Sequence, residues 1–178
     1  MTDQPIAENL APRLVLFSGP PGVGKSTLSY ALSRRTGWAV IARDGLDRTL
    51  EREEPGTWSP ITSYHLMLDI ADLNLRNGTS IILDAVFPRE GFRVRAAEIA
   101  ARHAALFRVV VCRCGDPTLW QRRIEERPEM VSGWTPADWS EAYRVATQYE
   151  PWSGPHLTLD AVDPLAHNLD RLIRYVTE

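Results

Sequence analysis

Five short apolar runs punctuate the chain: Arg13–Ser18, Trp38–Ala42, Ser80–Leu83, Leu106–Cys112 and Leu157–Leu159. They do not alternate apolar with polar, which predicts strands buried on both faces of a parallel sheet. Between them the spacing turns helical. Ile61, Tyr64, Leu68, Ala71 and Leu75 recur with a helical period, as do Leu165, Leu169, Leu172, Ile173 and Val176. Ser59-Pro60, Asp116-Pro117, Thr135-Pro136 and Asp163-Pro164 each set a capping side chain before a proline. That pair starts a helix, because the first helical position needs no N–H. Helices are therefore expected at 60–76, 117–127, 136–148 and 164–177, with two more at 25–35 and 89–104. Strand–helix alternation along the whole chain predicts an α/β fold with helices on both faces of a mostly parallel five-stranded sheet. There is no internal repeat. The stretch from Arg127 to Trp134 lies between two helices and is the one candidate insert.

Composition narrows the class. The chain has 178 residues, 44% hydrophobic and 24% charged, as expected of one globular domain. This excludes a disordered chain, a coiled coil and a collagen. No apolar run approaches the roughly 18 residues of a membrane-spanning helix. The polar, acidic stretch from Met1 to Pro12 has no apolar signal core, and two cysteines make no secreted framework. The expected compartment is the cytoplasm, with no membrane partner.

Net charge is −3, unevenly placed. Residues 89–127 carry nine arginines against five acids, whereas 128–178 carry three basic residues against eight acids. A sequence-independent nucleic-acid binder usually has a net basic domain, and this chain does not. Of 20 basic residues only Lys25 is a lysine. An arginine-favouring genome accounts for the missing lysines but not for the position of the one present.

Gly19-Pro20-Pro21-Gly22-Val23-Gly24-Lys25-Ser26-Thr27 fits G-x-x-x-x-G-K-[ST]. A predicted strand precedes it and a predicted helix follows. The glycines let backbone N–H groups curl round a triphosphate, and the helix N-terminus adds about half a positive charge. Lys25 is expected on the β- and γ-phosphates of ATP, and Ser26 on Mg²⁺. A GTPase would need an Asn-Lys-x-Asp segment, which a chain with one lysine cannot supply. The length leaves no room for the added domains of large motor or AAA+ ATPases.

With these residues in place, the chain resembles a family of small P-loop kinases. It includes polynucleotide 5′-hydroxyl kinases, zeta-toxin-like kinases, gluconate kinases and chloramphenicol phosphotransferases. The resemblance runs from Leu14 to Tyr175. It rests on Gly19–Thr27, Ala42-Arg-Asp44, Ile81-Ile-Leu-Asp84-Ala-Val-Phe87, Arg123-Ile-Glu-Glu-Arg127 and Gln148-Tyr-Glu-Pro151. It implies a P-loop α/β/α fold, ATP and Mg²⁺ as cofactors, and a short lid at 127–135.

The resemblance also implies roles. Asp44 would accept the proton of the attacking hydroxyl, and Arg43-Asp44 looks like the Arg-Asp pair of polynucleotide kinases. Their next arginine falls three residues after the aspartate; here Asp47 stands there and Arg48 follows. Asp84 occupies a Walker B-like strand end, to hold Mg²⁺ through water or to bind the acceptor. Arg123 and Arg127 match the family's Arg-x-x-x-Arg lid pattern and would offset charge during transfer. Arg43, Arg48 and Arg89 are the candidate acceptor contacts.

The other residues read more plainly. Arg93 and Arg95 are expected on a helix surface, and Arg122 on a lid or in solvent. Trp58, Trp134, Trp139 and Trp152 are expected to pack, or to line an aromatic acceptor pocket. Cys112 and Cys114 are expected as small core residues, and the histidines show no metal-ligand spacing. The expected function is transfer of a γ-phosphoryl group from ATP to a hydroxyl of a small molecule: a sugar, an antibiotic or a nucleoside-like compound. The alternatives are a 5′-hydroxyl polynucleotide kinase, a zeta-toxin-like kinase of nucleotide sugars, and a nucleotide-binding switch with no acceptor. The sequence leaves oligomeric state open.

Overall fold

The computed structural model describes residues 11–126 and 137–178. Within them the chain runs β1 (Arg13–Ser18), α1 (Lys25–Thr36), β2 (Ala39–Ala42), α2 (Arg43–Glu53), α3 (Pro60–Arg76) and β3 (Ile81–Asp84). It continues through α4 (Glu90–Arg102), β4 (Leu106–Arg113), α5 (Pro117–Glu125), α6 (Trp139–Thr147), β5 (Leu157–Asp160) and α7 (Leu165–Thr177). The sheet order is β2-β3-β1-β4-β5, and every pairing is parallel. The expected five-stranded parallel sheet is therefore present.

Alternate residues of β1 feed two cores. Leu14 and Leu16 pack with Tyr64, Met67 and Leu68 of α3 and with Ile99 of α4. Val15 and Phe17 pack on the other face with Leu28 and Leu32 of α1 and with Leu172 and Val176 of α7. Both faces are covered, which is why the strand sequences are continuously apolar. No helix among the described residues is long and apolar enough to cross a membrane.

Two of the proline starts have the expected caps. Ser59 accepts from Ile61 N–H, and Asp116 accepts from the N–H groups of Thr118 and Leu119. The other two differ. Thr135-Pro136 lies outside the described residues, and α6 is capped by Asp138, which accepts from Glu141 N–H at 2.8 Å. At α7 the cap position is Pro164 rather than Asp163. Residues 43–53 form a helix that no apolar spacing predicts. There α2 carries only Leu46 and Leu50 as apolar residues, too few for a stripe. Cys112 is buried, but Cys114 lies past the end of β4, half-buried, with its thiol donating to the Asp116 carbonyl.

Candidate active site

The phosphate loop connects β1 to α1 at the carboxyl end of the sheet. Gly19 has φ +131°, and its N–H donates to the Val86 carbonyl at 3.2 Å. A Cβ at Gly19 would collide with the Cys112 carbonyl oxygen. Gly24 is the cap residue of α1 with φ +86°, and no side chain caps the helix. The first-turn N–H groups are thus left for a ligand.

Pro20 and Pro21 have no N–H to offer a phosphate. Their carbonyls are used instead: Lys25 Nζ donates to Pro20 O, and Trp120 Nε1 donates to Pro21 O, each at 2.8 Å. The donors available to an anion are therefore those of Gly22 to Thr27. These six residues and Pro21 line a cavity of about 510 Å³; Gly19 and Pro20 do not.

Asp84 ends β3 and lines the same cavity, with 4% of its surface exposed. Ser29 Oγ donates to its Oδ2 at 3.0 Å, and Ser26 also hydrogen-bonds it. Burial raises the Asp84 carboxyl above its ordinary range, against the charge of Lys25 and the two serine hydroxyls. Asp44 lies in the first turn of α2, is exposed, and lines the cavity with Arg43.

Arg123 reaches the cavity from α5. Its neighbour Ile124 abuts Gly22, and Trp120 one turn earlier holds Pro21. These contacts seat α5 on the phosphate loop. Arg127 and the candidate lid 127–135 fall on or beside 127–136, outside the described residues. Arg122 faces Glu126 at 3.9 Å.

The remaining acceptor candidates separate. Arg43 is held by Asp47 Oδ2 at 3.1 Å and Ser63 Oγ at 3.1 Å, with its guanidinium 4.6 Å from the Tyr64 ring centre. Arg48 is half-buried on α2, and Arg89 is exposed at the cap of α4; neither lines the cavity. Arg93 was expected on a helix surface and is instead buried, bonded to three backbone carbonyls. No tryptophan among the described residues lines the cavity.

The far end of the cavity was not anticipated. It is built by the β5–α7 turn: Ala161, Asp163, Leu165 and Asn168. Asn168 is 3% exposed; its Nδ2 donates to Asp160 O at 2.7 Å, and its Oδ1 has no partner among the described residues. A polar residue on the apolar stripe between Leu165 and Leu172 was the available signal.

Among the described residues no group of three His, Cys, Asp or Glu could hold a metal. Ser26 and Asp84, in contact and both lining the cavity, are hard oxygen donors of the kind Mg²⁺ takes beside nucleotide phosphates.

Residues 14–142 match the model of the AAA domain family. An uncharacterized protein of Mycobacterium tuberculosis is 33% identical over 108 residues, which is 53% of this chain and 22% of that protein. The replication factor C large subunit of Pyrobaculum arsenaticum is 52% identical over 46 residues, 25% of this chain and 11% of that one. The chain thus spans no more than 22% of the length of these relatives. A sugar kinase from Janibacter superposes with TM-score 0.71 at 17% identity, covering 93% of this chain and 95% of that one. APS kinase of Mycobacterium tuberculosis, in complex with AMPPNP and APS, gives 0.70 at 18% identity, covering 94% and 99%. A gluconokinase from Sinorhizobium meliloti gives 0.67 at 17%, covering 94% and 93%. By the span of its family match the chain belongs to the AAA domain family, and its fold is that of the small P-loop kinases.

Proposed function

We propose that the chain is an ATP- and Mg²⁺-dependent kinase that transfers the γ-phosphoryl group to a hydroxyl of a small molecule. One observation carries this reading. A single cavity is lined by the phosphate loop with Lys25, by Ser26 and Asp84, by Asp44 and by Arg123. A nucleotide-binding switch uses the phosphate loop and the metal ligands, but has no need of the Asp44 carboxylate in the first turn of α2.

The triphosphate would lie along Gly22–Thr27, with Lys25 leaving the Pro20 carbonyl for the β- and γ-oxygens. The base would lie against the β5–α7 turn, beside Ala161 and Leu165. Ser26 and Asp84 would hold Mg²⁺, which supplies charge neutralisation on the phosphates when bound. The acceptor oxygen attacks the γ-phosphorus in line, and the bond to the β,γ-bridging oxygen breaks. Asp44 takes the acceptor's proton, ADP departs, and Arg123 offsets charge on the transferred group.

A small acceptor fits better than a polynucleotide. Four of the nine arginines of the basic middle segment are engaged locally: Arg95 with Asp69, Arg102 with Asp72, Arg113 with Asp160, and Arg93 with backbone carbonyls. Arg43 is held by Asp47. Arginines engaged in this way have less to offer a phosphodiester backbone.

The test is Asp44→Asn. A kinase loses acceptor phosphorylation by about 100-fold or more and keeps its ATP affinity within about threefold. Unchanged transfer in a folded Asp44→Asn protein would remove Asp44 from the mechanism. A wild type that binds ATP and phosphorylates nothing would favour the switch.

A further inference from the structure

Beside the phosphate loop lies a cluster of polar and aromatic side chains, Ser18, Arg93, Tyr149 and Trp152, that do not line the cavity and that the chemistry above does not use. Its centre is Ser18, the last residue of β1, fully buried. Ser18 Oγ donates to the Val86 carbonyl at 2.7 Å, the same carbonyl that receives Gly19 N–H. The Tyr149 hydroxyl lies 2.6 Å from Ser18 Oγ.

Proton counting fixes the direction of this bond. A serine hydroxyl has one hydrogen, and the Val86 carbonyl takes it, so Tyr149 must donate. Trp152 Nε1, which can only donate, reaches the Tyr149 oxygen at 2.9 Å and Ser18 Oγ at 3.2 Å. The chain of donors runs Trp152, Tyr149, Ser18, Val86. It requires Tyr149 to keep its proton, and burial raises that hydroxyl above its ordinary value.

Arg93 holds the tyrosine in place. Its guanidinium sits 4.8 Å from the Tyr149 ring centre and 4.6 Å from that of Trp152. It donates to Phe87 O at 2.8 Å, Glu150 O at 2.6 Å and Pro151 O at 3.2 Å. Phe87 has φ +46°, a left-handed conformation uncommon for a bulky residue. Its N–H donates to the Tyr64 hydroxyl at 3.3 Å, so side chains hold both the N–H and the carbonyl of this strained residue. Glu150 completes the join: its N–H donates to Pro88 O, and its carboxylate accepts from Glu90 N–H.

We infer that Tyr149 is a positioning residue for the phosphate loop: through Ser18 it fixes the Val86 carbonyl that anchors Gly19, and so sets the loop's register against the β3 exit that carries Asp84. The segment 149–152 is then a clasp at the root of the loop. The inference rests on the nucleotide-binding reading only for its effect on ATP.

The experiment uses the full chain. Tyr149→Phe removes one oxygen and leaves the ring against Arg93. Amide hydrogen exchange over Gly19–Gly24, measured without nucleotide, is expected to quicken about fivefold, as for loss of one buried hydrogen bond. Exchange in the β4 core is expected to stay put. ATP affinity, read by calorimetry, is expected to weaken about fivefold. Ser18→Ala is expected to match it, and the double variant to add little to either. Unchanged loop exchange in a folded Tyr149→Phe protein overturns the inference, as does full additivity of the two changes. A wild type that binds no ATP overturns the functional reading separately, and the exchange comparison still decides the clasp.

Discussion

The Ser29 hydroxyl on α1 donates a 3.0 Å hydrogen bond to Asp84 Oδ2 at the end of β3. It ties the helix that follows the phosphate loop to the strand that faces it. The carboxylate it holds is almost fully buried, and burial outweighs the favourable charge of Lys25.

That balance predicts a pH dependence. The folded chain keeps the Asp84 proton at pH values where the unfolded chain has released it. The stability tied to this proton is therefore present below the ordinary aspartate value and is lost as pH rises through the folded value. Asp84→Asn keeps an acceptor for Ser29 and cannot titrate. The melting temperature of Asp84→Asn minus that of wild type should grow more positive from about pH 4 to about pH 7. A flat difference would mean that the Asp84 carboxyl is not raised.

The glycines of the phosphate loop should not be equivalent. A Cβ at Gly24 meets nothing within 4 Å, so Gly24→Ala costs only its left-handed backbone, about 1–2 kcal/mol. A Cβ at Gly19 meets the Cys112 carbonyl oxygen, part of a central strand that cannot step aside. Gly19→Ala should cost at least about twice as much in urea unfolding. Equal losses would show that the close approach of Gly19 to β4 does not constrain the fold.

Asn168 should hold the β5–α7 turn in shape. Its buried Nδ2 donates to the Asp160 carbonyl at 2.7 Å, so Asn168→Ala should cost about 1–3 kcal/mol in urea unfolding. An unchanged unfolding midpoint would show that this bond does not hold the turn.

The phosphate loop was legible in the sequence because its chemistry constrains the backbone, and glycine, lysine and serine at fixed spacing report that constraint. The sheet was legible because strands buried on both faces have little choice but to be apolar. Arg93 was misread for the opposite reason. Its acceptors are backbone carbonyls, two of them 57 and 58 residues away, and a carbonyl leaves no mark in a sequence. The β5–α7 turn was missed because it serves the cavity by shape, with Asn168 the one residue out of pattern. Thr135-Pro136 looked like the start of α6, yet Asp138 offers the same capping chemistry three residues on.

The central claim is phosphoryl transfer, and transfer of label from γ-labelled ATP tests it most directly. The protein is incubated with Mg²⁺ and a panel of sugars, nucleosides, hydroxylated antibiotics and 5′-hydroxyl oligonucleotides. The account predicts label on one class of small hydroxyl compound, abolished in Asp44→Asn. Label on the oligonucleotide alone would contradict the small-molecule reading, and no label on any hydroxyl, with ATP bound, would contradict the kinase reading itself.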